Sequence, residues 1–398
     1  MFHDPIGIIA LLLFLEGGIL YLSEHRRMRR VFRYVPPMFL IYFLPMLANT
    51  VGLIPPERDA GGNIITPVYG DITTYCLPGS LVLLLISVDI VAILRLGKVA
   101  IGVMLAGSLG IILGGPVVLL IFRRWLPPDI WSGFGALSAS WIGGSANMIA
   151  VAKGLETPPH IFGPMVVVDT IVPYAWMGIL VAISGWQRSY DKRSGANTAV
   201  LDHLTRKSSQ AGAPQLQPLT LRSIALMFSL ASGAAFVSLR LAQELPAVKS
   251  MINASAWAII LATAMGIVLS FTPVRRLENS GASKLGYALL YFVLASIGAK
   301  TSLAHLASAP VALVAGFVWV LIHAGFIFLA GRLLKAPMSL MATASQANVG
   351  GTASAPVVAE IYQPGLAPVG LLLAVLGNII GTYLGFACST LCRFASGL

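Results

Sequence analysis

Two short stretches of this sequence place paired glycines and uncharged polar side chains inside hydrophobic runs, where they could bind a ligand. Residues 140–148 read Ser-Trp-Ile-Gly-Gly-Ser-Ala-Asn-Met, and residues 345–354 read Ser-Gln-Ala-Asn-Val-Gly-Gly-Thr-Ala-Ser. Gly350 follows Gly143 by 207 residues. Two interrupted hydrophobic segments at corresponding places in two halves of a chain indicate the binding site of a secondary transporter.

The chemistry of such a site comes from the backbone as well as from side chains. Each glycine weakens a helix by about 1 kcal/mol relative to alanine, so both runs are expected to break. The N-terminus of a half-helix attracts anionic groups, and its C-terminus attracts cations. The predicted solute-binding residues are Ser140, Trp141, Gly143, Gly144, Ser145, Asn147, Ser345, Gln346, Asn348, Gly350, Gly351, Thr352 and Ser354. The alternative is that these small residues only let helices pack closely.

A carboxylate inside the sixth hydrophobic run is the first candidate for coupling to a cation. Asp169 lies in Met-Val-Val-Val-Asp-Thr-Ile-Val-Pro, and a carboxylate at the bilayer centre costs about 2.5–3.5 kcal/mol. Such a residue titrates, binds a cation or pairs with a neighbour such as Thr170 or Tyr174. Its counterpart in the second half is Asn378. The predicted cation-coupling residues are Asp169, Thr170 and Asn378. The predicted Na+ ligands are Asn147, Asp169, Gln346 and Asn348.

The composition indicates that membrane helices position these residues. Of the 398 residues, 57% are hydrophobic and 10% are charged, whereas about a quarter of the residues of a soluble protein are charged. We therefore predict an all-α polytopic protein of the bacterial cytoplasmic (inner) membrane. The net charge of +11 comes from Lys and Arg in short loops, where they meet lipid headgroups, so we expect no nucleic-acid partner. Expected partners are a small solute and membrane lipid, and a homodimer is left open.

Runs near the length of about 20 residues that a bilayer requires give twelve candidate spans. They are residues 5–22, 34–54, 73–94, 99–122, 130–152, 162–187, 222–241, 253–272, 285–307, 309–331, 338–361 and 364–390. A polar interval at 188–220 reads as a linker between a first repeat, 1–187, and a second repeat, 221–398. We expect 11 to 13 transmembrane helices in two structural repeats.

The charges in the loops bear on whether the repeats are inverted. If all twelve runs cross, corresponding spans point the same way, whereas repeats with interrupted helices are usually inverted. Arg95, Lys98 and Lys153 lie on the more basic side of the first half, but Arg275 and Arg276 fall on the opposite side of a twelve-crossing chain. Because basic loops are mostly cytoplasmic, we favour inverted repeats. The alternative is that the simple count is right, since the charge bias is statistical.

With these motifs, the chain resembles the YjcL-like family of bacterial and plastid membrane proteins. The likeness is carried by residues 140–147, by Gln-Ala-Asn-Val-Gly-Gly at 346–351 and by the run that leads to Val88 and Asp89, and it spans nearly the whole chain. More distantly, the chain is similar to sodium/proton antiporters and sodium/bile-acid symporters, whose fold has a panel domain and a core domain with two crossed discontinuous helices. This resemblance implies that 130–152 and 338–361 are the crossing helices.

The same resemblance has implications for the site. Antiporters of that fold carry acidic residues on the helix after the first broken one, and Asp169 occupies such a place. This sequence has a single Asp there, so antiport stoichiometry does not carry over. The symporters use hydroxyls, amides and an acidic residue for sodium, which fits Asn147, Gln346 and Asn348 as well.

The function predicted is secondary active transport of a small anionic or zwitterionic organic solute by alternating access, coupled to Na+ or H+, with no other cofactor. A sodium/proton antiporter and a lipid flippase or channel are the alternatives. An intramembrane enzyme is less favoured, because no metalloprotease or paired aspartate motif is present and no His has an obvious Ser or acidic partner.

Overall fold

A computed structural model describes residues 4–28, 32, 35–57, 65–198, 200–201, 217–247, 253–301, 303–306 and 309–397, and every regular element within these ranges is helical. In chain order the α-helices are α1 Pro5–Glu24, α2 Pro37–Thr50, α3 Val68–Leu85, α4 Ile90–Leu94, α5 Gly97–Phe122, α6 Ile130–Gly143, α7 Ser145–Gly154, α8 Pro159–Ala182, α9 Gln187–Ser194, α10 Leu221–Glu244, α11 Ala254–Leu269, α12 Ala282–Ala299, α13 Ala309–Leu333, α14 Met338–Val349, α15 Gly351–Tyr362 and α16 Ala367–Ser396. Short 3-10 helices are Ile183–Trp186, Pro273–Ser280 and Leu303–Leu306.

Eight helices in the described ranges are long and apolar enough to cross a membrane. The count becomes nine if α11 and the 3-10 helix Pro273–Ser280, which meet at 94°, form one span. The eight coincide with eight of the twelve predicted runs. The other four runs contain shorter helices, namely α2, α6 with α7, α11, and α14 with α15. The predicted all-α polytopic membrane architecture is confirmed, and the inverted repeats stay a prediction.

The polar interval at 188–220 begins with structure of its own. Residues 187–194 form α9, which ends at Gly195 in the left-handed conformation with φ of 62°. Residues 202–216 of the predicted linker lie outside the described ranges. At the far end, Thr220 caps α10 by a reciprocal pair of hydrogen bonds with Ser223. A cap of this kind is the expected way to begin a helix, because it satisfies backbone N–H groups that lack a partner within the helix.

The described residues pack into two compact units, and each unit draws on both halves of the sequence. The first contains Met1–Ser87, Lys153–Thr170 and Gln217–Pro310. In it α3 contacts α10, α11 and α12, and α12 also contacts α1 and α2. Gly79 allows this packing, because a Cβ there would lie 2.7 Å from the Ala231 carbonyl oxygen. An ion pair of 2.7 Å joins Lys300 to Glu57 in the same unit.

The second unit contains Val88–Ala152, Ile171–Leu216 and Val311–Leu398, and both glycine motifs belong to it. The helix before each motif lies in its interior. Every residue of α6 except Trp131 is buried, and so is every residue of α14 except Met338. In this unit α6 contacts α5, α14, α15 and α16. The two predicted repeat boundaries do not coincide with unit boundaries and stay a prediction.

Candidate functional site

The first glycine motif separates two helices of the second unit. Helix α6 ends at Gly143, and α7 begins at Ser145. Gly144 has φ of 80° and ψ of 175°, a conformation that is essentially restricted to glycine. Its N–H donates to the Ser140 carbonyl at 2.5 Å, which closes the last turn of α6. A single residue, Gly144, therefore separates two helical segments, and the predicted discontinuous membrane helix stays a prediction.

Asn147 ties this break to α16. Its amide Nδ2 donates to the carbonyl of Gly143 at 2.5 Å and to that of Asn378 at 3.2 Å. Its Oδ1 accepts a hydrogen bond from the Thr382 hydroxyl. Asn147 is 3% exposed, so the three bonds satisfy a buried amide. Asn147, a predicted solute-binding residue, therefore has a structural role, since it connects the end of α6 to α16.

Three glycines on one face of α16 permit the close approach of α6. A Cβ at Gly381 would lie 2.8 Å from Gly143 Cα, and one at Gly385 would lie 3.1 Å from the Gly135 carbonyl oxygen. A Cβ at Gly377 would meet the Ile142 carbonyl oxygen. This stripe was not predicted from the sequence, although the spacing of four residues between the glycines is the usual signal of close helix packing in membranes.

The second motif separates α14 from α15 in the same unit. Helix α14 ends at Val349, and α15 begins at Gly351, whose φ of 64° lies in the left-handed region. The Gly350 N–H donates to the Gln346 carbonyl at 2.8 Å. Ser354 donates its hydroxyl to the Gly350 carbonyl at 2.9 Å and accepts from Gln346 Nε2 at 2.8 Å. Gln346 and Ser354 thus lie against one another across the break.

Gln346 retains an uncommitted oxygen at this break. Its Nε2 also reaches the Pro173 carbonyl at 3.3 Å, whereas its Oε1 has no hydrogen-bond partner among the described residues. The side chain is fully buried, and a buried carbonyl oxygen without a partner costs about 1–3 kcal/mol. Amide and backbone carbonyl oxygens at the ends of half-helices are ligands for Na+ in transporters. The role of Gln346 as a cation ligand stays a prediction.

Asn348, another predicted Na+ ligand, is held by α5. Its Nδ2 donates to the Met104 carbonyl at 3.0 Å, and its Oδ1 accepts from the Ser108 hydroxyl at 2.7 Å. The side chain is fully buried. Asn348 and Asn147 have similar structural roles, because each amide connects a position beside a break to a neighbouring helix. Each Oδ1 still has a second lone pair that could face a ligand.

Ser345 lies in a hydrogen-bonded row that the sequence analysis did not find. The Ser345 Oγ is 2.9 Å from both Trp176 Nε1 and His323 Nε2, and His323 Nδ1 is 2.8 Å from the Gly107 carbonyl oxygen. His323 and Ser345 are buried. No partner for His323 is evident from the sequence, but tertiary packing supplies Ser345. Nothing in the local sequence signals this pairing, because the partners lie on different helices.

The remaining predicted site residues of the second unit divide by burial. Ser140 and Trp141 are buried, and the Trp141 ring packs edge-on against Trp319 at 5.2 Å. The Trp141 Nε1 has no partner among the described residues. By contrast, the half-buried residues are Gly144, Ser145, Gly350, Gly351, Thr352 and Asn378. The two breaks are therefore more accessible than the helices that lead into them.

Two acidic residues of the first unit lie within predicted spans. Asp169 is half-buried in α8, where the hydroxyl of its neighbour Thr170 donates to the Val166 carbonyl at 2.8 Å. Glu16 in α1 is 5% exposed, and its Oε2 has no hydrogen-bond partner among the described residues. An ionisable group inside a span is a functional candidate by default. The coupling roles of Asp169, Thr170 and Asn378 stay predictions.

An apolar cavity of about 340 Å³ lies in the second unit. Its lining residues are Trp176, Leu180, Ile183, Trp186, Tyr190, Ala324, Ile327, Phe328, Met338, Met341, Ala342, Ser345 and Tyr362. This cavity was not predicted from the sequence. Its residues on α14 recur at intervals of three and four, the helical spacing that marks one face. That spacing could have indicated a shared surface, but not that the surface borders a half-open cavity.

Replacing Asn147 tests its structural role. Asn147→Ala is expected to lower the stability of the solute-free protein by about 1–3 kcal/mol, because it leaves the buried Thr382 hydroxyl and two carbonyls without this partner. Thermal unfolding of the purified protein in detergent measures the change. Asn197→Ala, at an exposed side chain of the same unit, is the matched control. Equal unfolding temperatures for both variants and the wild type would contradict this role.

The helices and their composition define a polytopic α-helical integral membrane protein, and the predicted membrane location is confirmed. The chain belongs to the family described as "Protein of unknown function (DUF819)", whose model matches residues 10–394. It is 25% identical over 349 residues to "Uncharacterized membrane protein YjcL" of Bacillus subtilis (strain 168), a match that covers 85% of each chain. The predicted YjcL-like family is confirmed. The likeness to antiporters and bile-acid symporters stays a prediction.

Proposed function

We propose that this protein is a secondary active transporter that moves a small anionic or zwitterionic organic solute by alternating access, coupled to Na+ or H+. The observation that carries the proposal is the fully buried Gln346 beside the break at Gly350, with an Oε1 that has no hydrogen-bond partner among the described residues. A cation would satisfy this oxygen. A buried polar atom without a partner is costly, so its retention favours a ligand.

The half-helices that begin at the two breaks supply the complementary charge. The first N–H groups of α7 and α15 have no carbonyl partner within their own helices, and the N-terminus of a helix carries a partial positive charge. Ser145 and Thr352, each at the start of one of these helices, are half-buried. A solute carboxylate would be stabilised at either end. These features support an anionic or zwitterionic solute over a cationic one.

Coupling requires that the cation bind the two states of the transporter unequally, since equal affinity shifts no population. Asp169 is the proposed group that makes the difference. A carboxylate within a span changes its interaction with the surrounding low-dielectric medium when it binds Na+ or a proton.

The apolar cavity favours a second candidate function, a lipid flippase. Movement of labelled lipid between the leaflets of vesicles that contain the protein would test this function.

Replacing Asp169 tests the coupling. Asp169→Asn is expected to abolish uptake driven by an ion gradient in vesicles while leaving the protein folded, because the amide keeps the shape and loses the charge. Solutes for the assay come from a thermal-shift screen of organic acids and amino acids, with and without Na+, since a ligand that binds only the folded state raises its stability.

Glu16→Gln is the matched control, because Glu16 is the other acidic residue of the first unit that lies within a span predicted from the sequence. Uptake by this variant is expected to match the wild type. Undiminished gradient-driven uptake by Asp169→Asn would overturn the assignment, and loss of uptake in Glu16→Gln alone would transfer the role to Glu16. Monodispersity of both variants in detergent shows that the comparison concerns folded protein.

A further inference from the structure

The apolar cavity of the second unit has an open end beside a basic surface. Trp186, which lines the cavity, is 69% exposed, so the cavity opens next to it. Helix α9 follows at once and carries Tyr190, a second lining residue. Within α9 and the segment 331–337, the basic residues are Arg188, Lys192, Arg193, Arg332 and Lys335, and all are exposed. The one acidic residue in these two segments is Asp191.

Two contacts fix α9 at this place. The Asp191 carboxylate accepts a hydrogen bond of 2.8 Å from the N–H of Met338, the first residue of α14, and the Asn197 N–H donates to the Lys335 carbonyl at 2.9 Å. The negative charge of Asp191 is therefore directed to the positive end of α14. The basic side chains of α9 are exposed beside the cavity.

Aromatic contacts bring a basic side chain to the cavity itself. The rings of Tyr190 and Phe328, which both line the cavity, lie 6.1 Å apart. The Arg332 guanidinium lies 5.1 Å from the centre of the Phe328 ring. Arg193 follows Tyr190 by three residues and so projects from the same face of α9. An apolar chamber thus has cationic groups at its rim.

We propose that this cavity holds an acyl chain of an anionic phospholipid, whose phosphate group interacts with Arg193 and Arg332. The apolar lining excludes a charged solute, because burying an unpaired charge there would cost several kcal/mol. An anionic phospholipid matches both features of the site, because its acyl chain is apolar like the cavity and its headgroup is opposite in charge to the basic rim. Basic surfaces beside membrane helices attract anionic headgroups with about 1 kcal/mol for each Lys or Arg.

The lipid site and the proposed transport function rest on different residues. The cavity is lined by one predicted solute-binding residue, Ser345, whose hydroxyl lies within hydrogen-bond distance of Trp176 and His323. Its neighbour in sequence, Gln346, faces the break instead. Failure of the lipid site would leave the transport proposal unaffected, because the lipid experiment does not measure uptake.

Tryptophan quenching tests the lipid site directly. The full chain is reconstituted in phosphatidylcholine vesicles that contain a small fraction of phosphatidylglycerol or phosphatidylcholine brominated on the acyl chain. The part of the tryptophan emission that disappears in Trp186→Phe comes from Trp186, which lines the cavity. Brominated phosphatidylglycerol is expected to quench this emission at a lower mole fraction than brominated phosphatidylcholine, by about fivefold for each basic residue in contact with the headgroup.

Two variants separate the headgroup from the chain. Arg193→Gln/Arg332→Gln is expected to remove the preference for the anionic lipid, whereas Arg123→Gln/Arg124→Gln, the same charge change at the exposed end of α5, retains it. Ala324→Phe fills the cavity and is expected to reduce quenching by both lipids. Equal quenching of the wild type by the two lipids would overturn the proposal. So would a preference that survives Arg193→Gln/Arg332→Gln, or unchanged quenching in monodisperse Ala324→Phe.

Discussion

Gly381→Val in α16 is expected to prevent accumulation of folded protein. A Cβ at this position would lie 2.8 Å from Gly143 Cα and 2.9 Å from Gly143 N, and both are backbone atoms at the end of α6. Overpacking a well-packed interior costs about 1–3 kcal/mol when side chains can move aside. Here the obstacle is backbone, so the helices themselves would have to separate. The expected loss therefore exceeds that range.

The yield of monodisperse protein after detergent extraction measures this effect. Gly325→Val in α13 is the matched control, because no heavy atom among the described residues lies within 4 Å of a Cβ placed there. It introduces the same β-branched side chain into a helix of the same unit. A yield near that of the wild type is expected for the control. A similar yield for Gly381→Val would show that α6 and α16 do not pack as described.

Gln346→Met is expected to abolish the stabilisation of the protein by its coupling cation. Methionine has a similar length but replaces the uncommitted amide oxygen with a thioether, which is a poor ligand for a hard cation. Loss of even an indirect contact to a metal commonly lowers affinity about 10–100-fold, and loss of a ligand is expected to cost at least as much. The experiment compares the unfolding temperature of each protein with and without Na+, and across pH.

The difference between ion conditions, and not the unfolding temperature itself, is the measured quantity. Gln346→Met also loses hydrogen bonds to Ser354 and Pro173, which lowers stability under all conditions. Gln363→Met, at the end of α15, provides the same substitution outside the buried break and is expected to keep the full cation effect. A cation-dependent increment in Gln346→Met equal to that of the wild type would remove Gln346 from the site.

The sequence predicted the all-α membrane architecture and eight of the long helices, because these depend on local properties. Hydrophobic runs of sufficient length determine the membrane helices, and the glycine pairs at 143–144 and 350–351 weaken helix formation at those points. Gly144 and Gly351 do adopt conformations that favour glycine. The helix α9 was not anticipated, because the polar interval that contains it has no apolar periodicity.

The roles of individual polar residues could not be predicted in the same way. The sequence predicts Asn147 and Asn348 as ligands, yet their amides bond to groups 231 and 244 residues distant in the chain. Gln346 has the same local environment in the sequence and keeps an uncommitted oxygen. Only the packing of distant helices separates a structural amide from one available to a ligand.

The row of hydrogen bonds through Ser345 has a fixed direction. An indole nitrogen can only donate, so Trp176 donates to Ser345, and a carbonyl oxygen can only accept, so His323 must donate from Nδ1 to Gly107. Neutral His323 therefore accepts at Nε2 from the Ser345 hydroxyl. The indole donor at one end and the carbonyl acceptor at the other permit only one direction for these hydrogen bonds. The Ser345 hydroxyl therefore cannot reorient to reverse the tautomer of His323. These three hydrogen bonds hold the His323 imidazole in place. They cannot pass a proton from Trp176 to the Gly107 carbonyl.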